Sequence, residues 1–218
     1  PSGVDEFPHV MRSDLEQAMP QLARLGVPLI VHAEIEGDLA HLPDAEPENH
    51  YARYLHSRPP EWECRAIELM IELSRKTGCA IHIVHLSAAD ALPMIKKARA
   101  DGVNITVETC PHYLHLSAEA IQDGATHFKC APPIRERENR ERLWEGIRSP
   151  CVPKLKCMDT GNFMKAWGGI AGLQMSPAVT WTEMSSRQMT INDLSRLMSQ
   201  KPAELVGLSD RKAQIKSG

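Results

Sequence analysis

The chain has 218 residues, 42% of them hydrophobic and 24% charged, with a formal net charge of −3. That length suits one large domain or two small ones, and the balance is that of an ordinary globular protein. The charge argues against a nucleic-acid partner, and the apolar stretches are too short for a membrane span. No basic, apolar leader opens the sequence, so the expected location is cytoplasmic. Six cysteines, Cys64, Cys79, Cys110, Cys130, Cys151 and Cys157, form no CxxC pair. Cys79, Cys110 and Cys130 border apolar runs and read as small buried residues in a reducing compartment.

Along the chain, helix and strand signals alternate. Residues 13–25 predict a helix, capped by Ser13 or Asp14, with Leu15, Ala18, Met19, Leu22 and Leu25 at helical spacing. Gly26 stops it, and a strand follows at 28–33. Residues 35–60, polar and holding four prolines, read as a long loop with at most a helical turn. A second helix spans 61–77, ended by Gly78, and a second strand runs over 80–86. A third helix (89–101) and strand (104–109) follow, then a fourth helix at 137–147. Helix, glycine, strand and loop in rotation predict a parallel sheet with crossover helices. The rhythm breaks at Arg148-Ser149-Pro150-Cys151-Val152-Pro153, where two prolines rule out a central strand. The remainder reads as helices near 170–184, 191–199 and 202–206.

Two apolar runs, PLIVHAE (28–34) and CAIHIVHLS (79–87), carry histidines where a parallel strand leaves its sheet. Chemistry sits at that end in parallel α/β folds, and two neutral imidazoles there suit a divalent metal. His32 and His85 are the candidate ligands. His82 lies deeper in its strand and on the other face, and Ser87 is placed to cap the next helix. A histidine in such a run can equally be a satisfied core residue. His9, His41, His50, His56, His115 and His127 fall in loops or on polar faces and read as solvated. The stretch from Arg135 to Arg142 reads as a salt-bridged helical face.

The segments VHAE (31–34), HIVHLS (82–87), VETCPHYL (107–114), KCAPPIR (129–135), NRERLWEGI (139–147) and GNFMKAWGGIAGLQ (161–174) resemble allantoinases. These belong to the cyclic amidohydrolase branch of the amidohydrolase superfamily, with dihydroorotase and hydantoinase as relatives. The resemblance runs over nearly the whole chain, and KCAPPIR and KAWGGIAGLQ favour allantoinase over the sister enzymes. It implies an α/β fold, the C-terminal part of a (β/α)8 TIM-type barrel, with residues 1–218 as one partial barrel domain. It implies hydrolysis of a cyclic ureide, allantoin to allantoate, by two divalent ions, zinc foremost and manganese or cobalt as alternatives. A homo-oligomer is implied for the intact protein, with no nucleic-acid or membrane partner.

Carried over residue by residue, the pattern puts His32 at the end of the fifth barrel strand and His85 at the end of the sixth, both on the more exposed metal. The pattern's other ligands are an HxH pair, a carboxylated lysine and an aspartate that is also the general base. None has a counterpart here. Pro1-Ser2-Gly3-Val4-Asp5 resembles the stretch just past the lysine-bearing strand, and Ile147 runs almost directly into Ser149-Pro150 where the eighth strand and its aspartate belong. Strands one to four and eight are therefore expected to be missing, no catalytic residue is assigned, and the chain as printed is expected to be an incomplete or inactive form. On the substrate side, the resemblance implies backbone contacts near Ala131, Trp167 and Gly168, although Trp167 can equally be packing. Lys129 and Arg135 either attract an anionic group or form a solvated rim. His112 either touches substrate or orients its loop. A sister hydantoinase or dihydroorotase activity, and a non-catalytic structural remnant, remain as alternatives.

Overall fold

A computed structural model describes residues 8–37, 46–147, 163–164, 170 and 172–213. Helix α1 (Arg12–Leu25) leads into strand β1 (Leu29–Val31), and the loop after it holds the short helix α2 (Tyr51–His56). Helix α3 (Pro60–Thr77) precedes strand β2 (Ile81–Ile83), and helix α4 (Leu92–Ala100) precedes strand β3 (Ile105–Val107). Then come α5 (Pro111–His115) and α6 (Arg137–Gly146), followed by α7 (Ser176–Ser186), α8 (Ile191–Ser195) and α9 (Lys201–Leu205). A π-type turn over Arg196–Gln200 joins the last two into one run. No helix of the described residues is long and apolar enough to cross a membrane.

Helices α1 and α3 end as their sequence predicts. Gly26 and Gly78 adopt φ of 67° and 72°, a left-handed turn that a side chain resists and that returns the chain toward the sheet. The start of α1 differs from expectation. The Asp14 carboxylate accepts the Met11 backbone N–H at 2.8 Å, so the helix begins at the Met11 peptide and Asp14 lies inside its first turn. Ser87 does not cap the following helix. Its hydroxyl donates to the Pro133 carbonyl, and Asn139 instead accepts the Ala89 N–H at 2.8 Å.

The three strands form a parallel sheet in the order β1-β2-β3. The register aligns Ile30, His82 and Thr106 on one face. Leu29, Ile81 and Ile105, with Val31, Ile83 and Val107, point the other way, toward the crossover helices. That helix-covered face is the core: Ile67 and Leu73 of α3, Ile95 of α4, and Ile81 and Ile83 are all buried. Among the described residues the opposite face is open at its two edges, with Ile30 on β1 59% exposed and Thr106 on β3 exposed, while His82 between them is buried. Cys79, Cys110 and Cys130 are buried thiols, as their apolar neighbours predict.

Candidate metal centre

His32 and His85 leave adjacent parallel strands at the same end. His32 follows Val31 directly, and the ladder extends past β2 through the Val84 N–H to Val31 carbonyl bond and the Leu86 N–H to Glu108 carbonyl bond. His85 itself takes φ of 44°, left-handed and unusual for a residue with a side chain. Such backbone costs on the order of 1–3 kcal/mol and clusters at functional sites. It turns the imidazole from the strand toward its neighbour. His32 Nδ1 and His85 Nε2 lie 2.9 Å apart, with the rings edge to face at 73°.

The protonation of the pair follows from its surroundings. His32 Nε2 lies 2.8 Å from Glu34 Oε2, and a carboxylate can only accept, so Nε2 carries a hydrogen and Nδ1 is turned toward His85. Burial alone would raise the Glu34 carboxyl. The His32 hydrogen bond and the Arg58 charge outweigh it and hold Glu34 below the usual range. Burial, then the neighbouring His32, push His85 down to about 4, so it is neutral near pH 7. Two imidazoles with facing ring nitrogens are a donor pair. Zinc–nitrogen bonds of about 2.0–2.1 Å at a tetrahedral angle place two ligand nitrogens about 3.3 Å apart. The observed approach is within a few tenths of an ångström of that, so the pair fits one ion. Among the described residues no group of three His, Cys, Asp or Glu side chains could hold a metal, so the pair is a partial shell.

His82 is engaged elsewhere. Its Nδ1 lies 2.8 Å from Thr106 Oγ1 and its Nε2 3.3 Å from Glu108 Oε2, on the sheet's open face. His112, on α5, packs edge-on against Tyr113, and its Nε2 is buried with no hydrogen-bond partner. Burial, then the proximity of His85, push it down to about 3. A third neutral imidazole thus stands beside the pair.

The KCAPPIR segment is pinned by tyrosine hydroxyls that the sequence did not single out, and by Ser87. Tyr54 donates its hydroxyl to the Cys130 carbonyl at 2.7 Å, Tyr113 to Pro132 at 2.6 Å and Tyr51 to Ile134 at 2.8 Å, while Ser87 donates to Pro133. The carbonyls on either side of Ala131 are therefore held, and half-buried Ala131 sits at the centre of a fixed loop. Two prolines in a loop are a signal in retrospect: they supply carbonyls without N–H groups, so buried hydroxyls must satisfy them. Arg135 corrects an expectation. It is 3% exposed, bonded to Glu63 at 2.7 Å and to the Arg58 carbonyl at 3.1 Å, and is no solvated rim. Lys129 is half-buried, with its ammonium 5.0 Å from the Tyr54 ring centroid, and burial, then Arg58, push it down to about 8. Trp167 and Gly168, and the 148–162 stretch in which the eighth strand was sought, lie outside the described residues.

No protein-family model matches the chain. Its fold is shared with solved cyclic-amide hydrolases. D-hydantoinase from Bacillus sp. AR9 superposes with a TM-score of 0.88 at 26% identity, over 100% of this chain and 51% of that one. L-hydantoinase (dihydropyrimidinase) from Arthrobacter aurescens gives 0.83 at 25%, over 98% and 51%. The class is therefore an α/β fold of the hydantoinase, amidohydrolase type. Within it, the sequence is similar to allantoinases along nearly its whole length. It is 43% identical to allantoinase of Streptomyces avermitilis over 100% of this chain and 50% of that protein. Against allantoinase of Arabidopsis thaliana the identity is 41%, over 98% and 46%, and against that of Saccharomyces cerevisiae 38%, over 100% and 50%. The chain spans about half the length of the curated relatives it matches.

Proposed function

We propose that this chain forms the C-terminal part of a metal-dependent cyclic amidohydrolase whose substrate is a cyclic ureide, allantoin, opened to allantoate. The observation that carries the reading is the 2.9 Å approach of His32 Nδ1 to His85 Nε2 at the ends of adjacent parallel strands. The names of the relatives favour allantoin as the substrate. In this reading residues 1–218 are one partial (β/α)8 domain, β1, β2 and β3 are its fifth, sixth and seventh strands, and the intact protein is a cytoplasmic homo-oligomer.

His32 and His85 would hold the more exposed of two divalent ions, zinc first among candidates. A divalent ion bound there would lower the pKa of its water and polarise the amide carbonyl. The rest is the chain's own work. Glu34 orients His32, burial keeps His85 and His112 unprotonated near pH 7, and the loop held by Tyr54, Tyr113, Tyr51 and Ser87 presents the Ala131 backbone to the ring. Trp167 and Gly168 complete the substrate contacts in the same reading. In this reading the HxH pair and the carboxylated lysine belong to the half of the relatives' length that this chain does not span, and the aspartate belongs with the eighth strand, at the 148–162 stretch.

The protein from the complete gene, loaded with zinc, manganese or cobalt, is to be assayed on allantoin, hydantoin and dihydroorotate. Preferential turnover of allantoin is the expected result. Turnover of hydantoin with none of allantoin would move the reading to the sister activity that the structural neighbours favour. The 218 residues alone are expected to bind zinc through His32 and His85 without turnover, and hydrolysis by them would overturn that part of the reading.

A further inference from the structure

We propose that Arg58 and Glu34 are positioning residues that lock His32 in the Nε2–H tautomer and so aim its Nδ1 at the metal position. This rests on the metal-centre reading above.

The geometry is a relay of buried contacts. Glu34 is 3% exposed, and its Oε2 receives both the His32 Nε2–H, at 2.8 Å, and the Arg58 guanidinium, in a very short contact. Its other oxygen, Oε1, is buried and has no hydrogen-bond partner. One oxygen therefore carries both bonds, and Arg58 is what anchors the carboxylate. Arg58 is fixed in turn. Its side chain is 13% exposed, its guanidinium stands 6.0 Å from the Trp62 ring centroid, and its carbonyl accepts from Arg135 at 3.1 Å. Arg135 is itself held by Glu63 at 2.7 Å. The Ile35 N–H bonds the Trp62 carbonyl at 3.1 Å, tying the loop that bears Glu34 to the start of α3. Nothing in this relay is a ligand, yet every step ends on the ring of His32.

Long-range nitrogen–proton spectra of the ¹⁵N-labelled full chain, metal-free and then with zinc, read the His32 ring directly. The expected result is a hydrogen on His32 Nε2 in both states. In Arg58→Met, His32 is expected to become a mixture of tautomers, and zinc affinity to fall about 10- to 100-fold. The His82 signals, set by Thr106 and Glu108, stay in place and report the fold. Should Arg58→Met fail to fold, Arg58→Lys keeps the charge but not the planar fork and is expected to fall between. Glu34→Gln keeps an acceptor and is expected to keep the tautomer with weaker zinc binding. An Nδ1–H tautomer of His32 in the metal-free wild type would overturn the proposal. So would unchanged zinc affinity in a folded Arg58 variant. Failure of the wild type to bind zinc, with His32 still Nε2–H, would instead sink the metal-centre reading and leave the clamp standing.

Discussion

At the residue scale, the energetically exposed point is the Arg135–Glu63 pair, 3% and 2% exposed and 2.7 Å apart. Removing one partner of such a pair strands a charge away from water and costs about 3–5 kcal/mol. Arg135→Met is therefore expected to lower unfolding free energy by that order in urea melts. Glu63→Gln combined with Arg135→Met should recover much of it, because no lone charge remains and the Gln can still accept the Ser87 N–H at the position where Glu63 does, 2.9 Å away. A smaller effect is expected from Tyr113→Phe, which leaves the Pro132 carbonyl buried without its donor at about 1–3 kcal/mol. The same residues show where sequence reasoning ran out. His32 and His85 were legible because both close apolar strand-like runs. Arg135 was not, because its partner is Glu63, remote in sequence and brought near only by packing α3 against the loop before α6. The tyrosine hydroxyls were invisible for the same reason, each meeting a carbonyl far along the chain.

At the element scale, periodicity and glycine punctuation placed α1, α3, α4 and the three strands to within a few residues, since each has an apolar stripe that a neighbour buries. Helix α5 was missed. Pro111–His115 is one short turn with proline at its start, too brief to show a period. The 191–206 region was read as two helices and is one run bent by the π-type turn at Arg196–Gln200. The start of that run carries a pH prediction. The Thr190 backbone and hydroxyl, with Arg196, hold the Asp193 carboxyl down to about 2, while Asp193 N–H donates to Thr190 Oγ1 at 3.2 Å. An acid held below its unfolded value of about 3.9 stabilises the fold above that pH, and the contribution is lost as pH falls toward 2. Asp193→Asn, a neutral stand-in for the protonated acid, is expected to lower stability at neutral pH and to flatten the acid limb between about 4 and 2, so that variant and wild type converge toward pH 2. Thermal melts across that range check it, and an unchanged acid limb would contradict the assignment. Where α3 ends, Gly78→Ala should cost about 1–2 kcal/mol, because φ of 72° is left-handed and the added methyl meets backbone strain with no contact to gain.

At the scale of the whole molecule, the sheet is one-sided. One face packs on α3 and α4, while on the other, among the described residues, Ile30 on edge strand β1 is 59% exposed and Thr106 on edge strand β3 is exposed, with His82 buried between them on β2. In a closed barrel that face would look into the interior and the edges would be paired. The alternating elements made the parallel sheet legible. They could not show how far the described sheet extends, because closure depends on strands contributed from elsewhere in sequence. An open parallel sheet in water has a definite liability: unpaired backbone donors and acceptors along its edges, next to apolar surface, invite a second copy to add its own strands. The 218-residue chain in isolation is therefore expected to self-associate in a concentration-dependent way, which light scattering coupled to size exclusion will read. Ile30→Glu puts a charge on the β1 edge of the open face without touching the helix-covered core. It is expected to shift the population toward monomer while helical circular dichroism is retained. Monomer at all concentrations for the unmodified chain would mean that the face is covered, and the barrel interior would then have to be sought in the remainder of this same polypeptide.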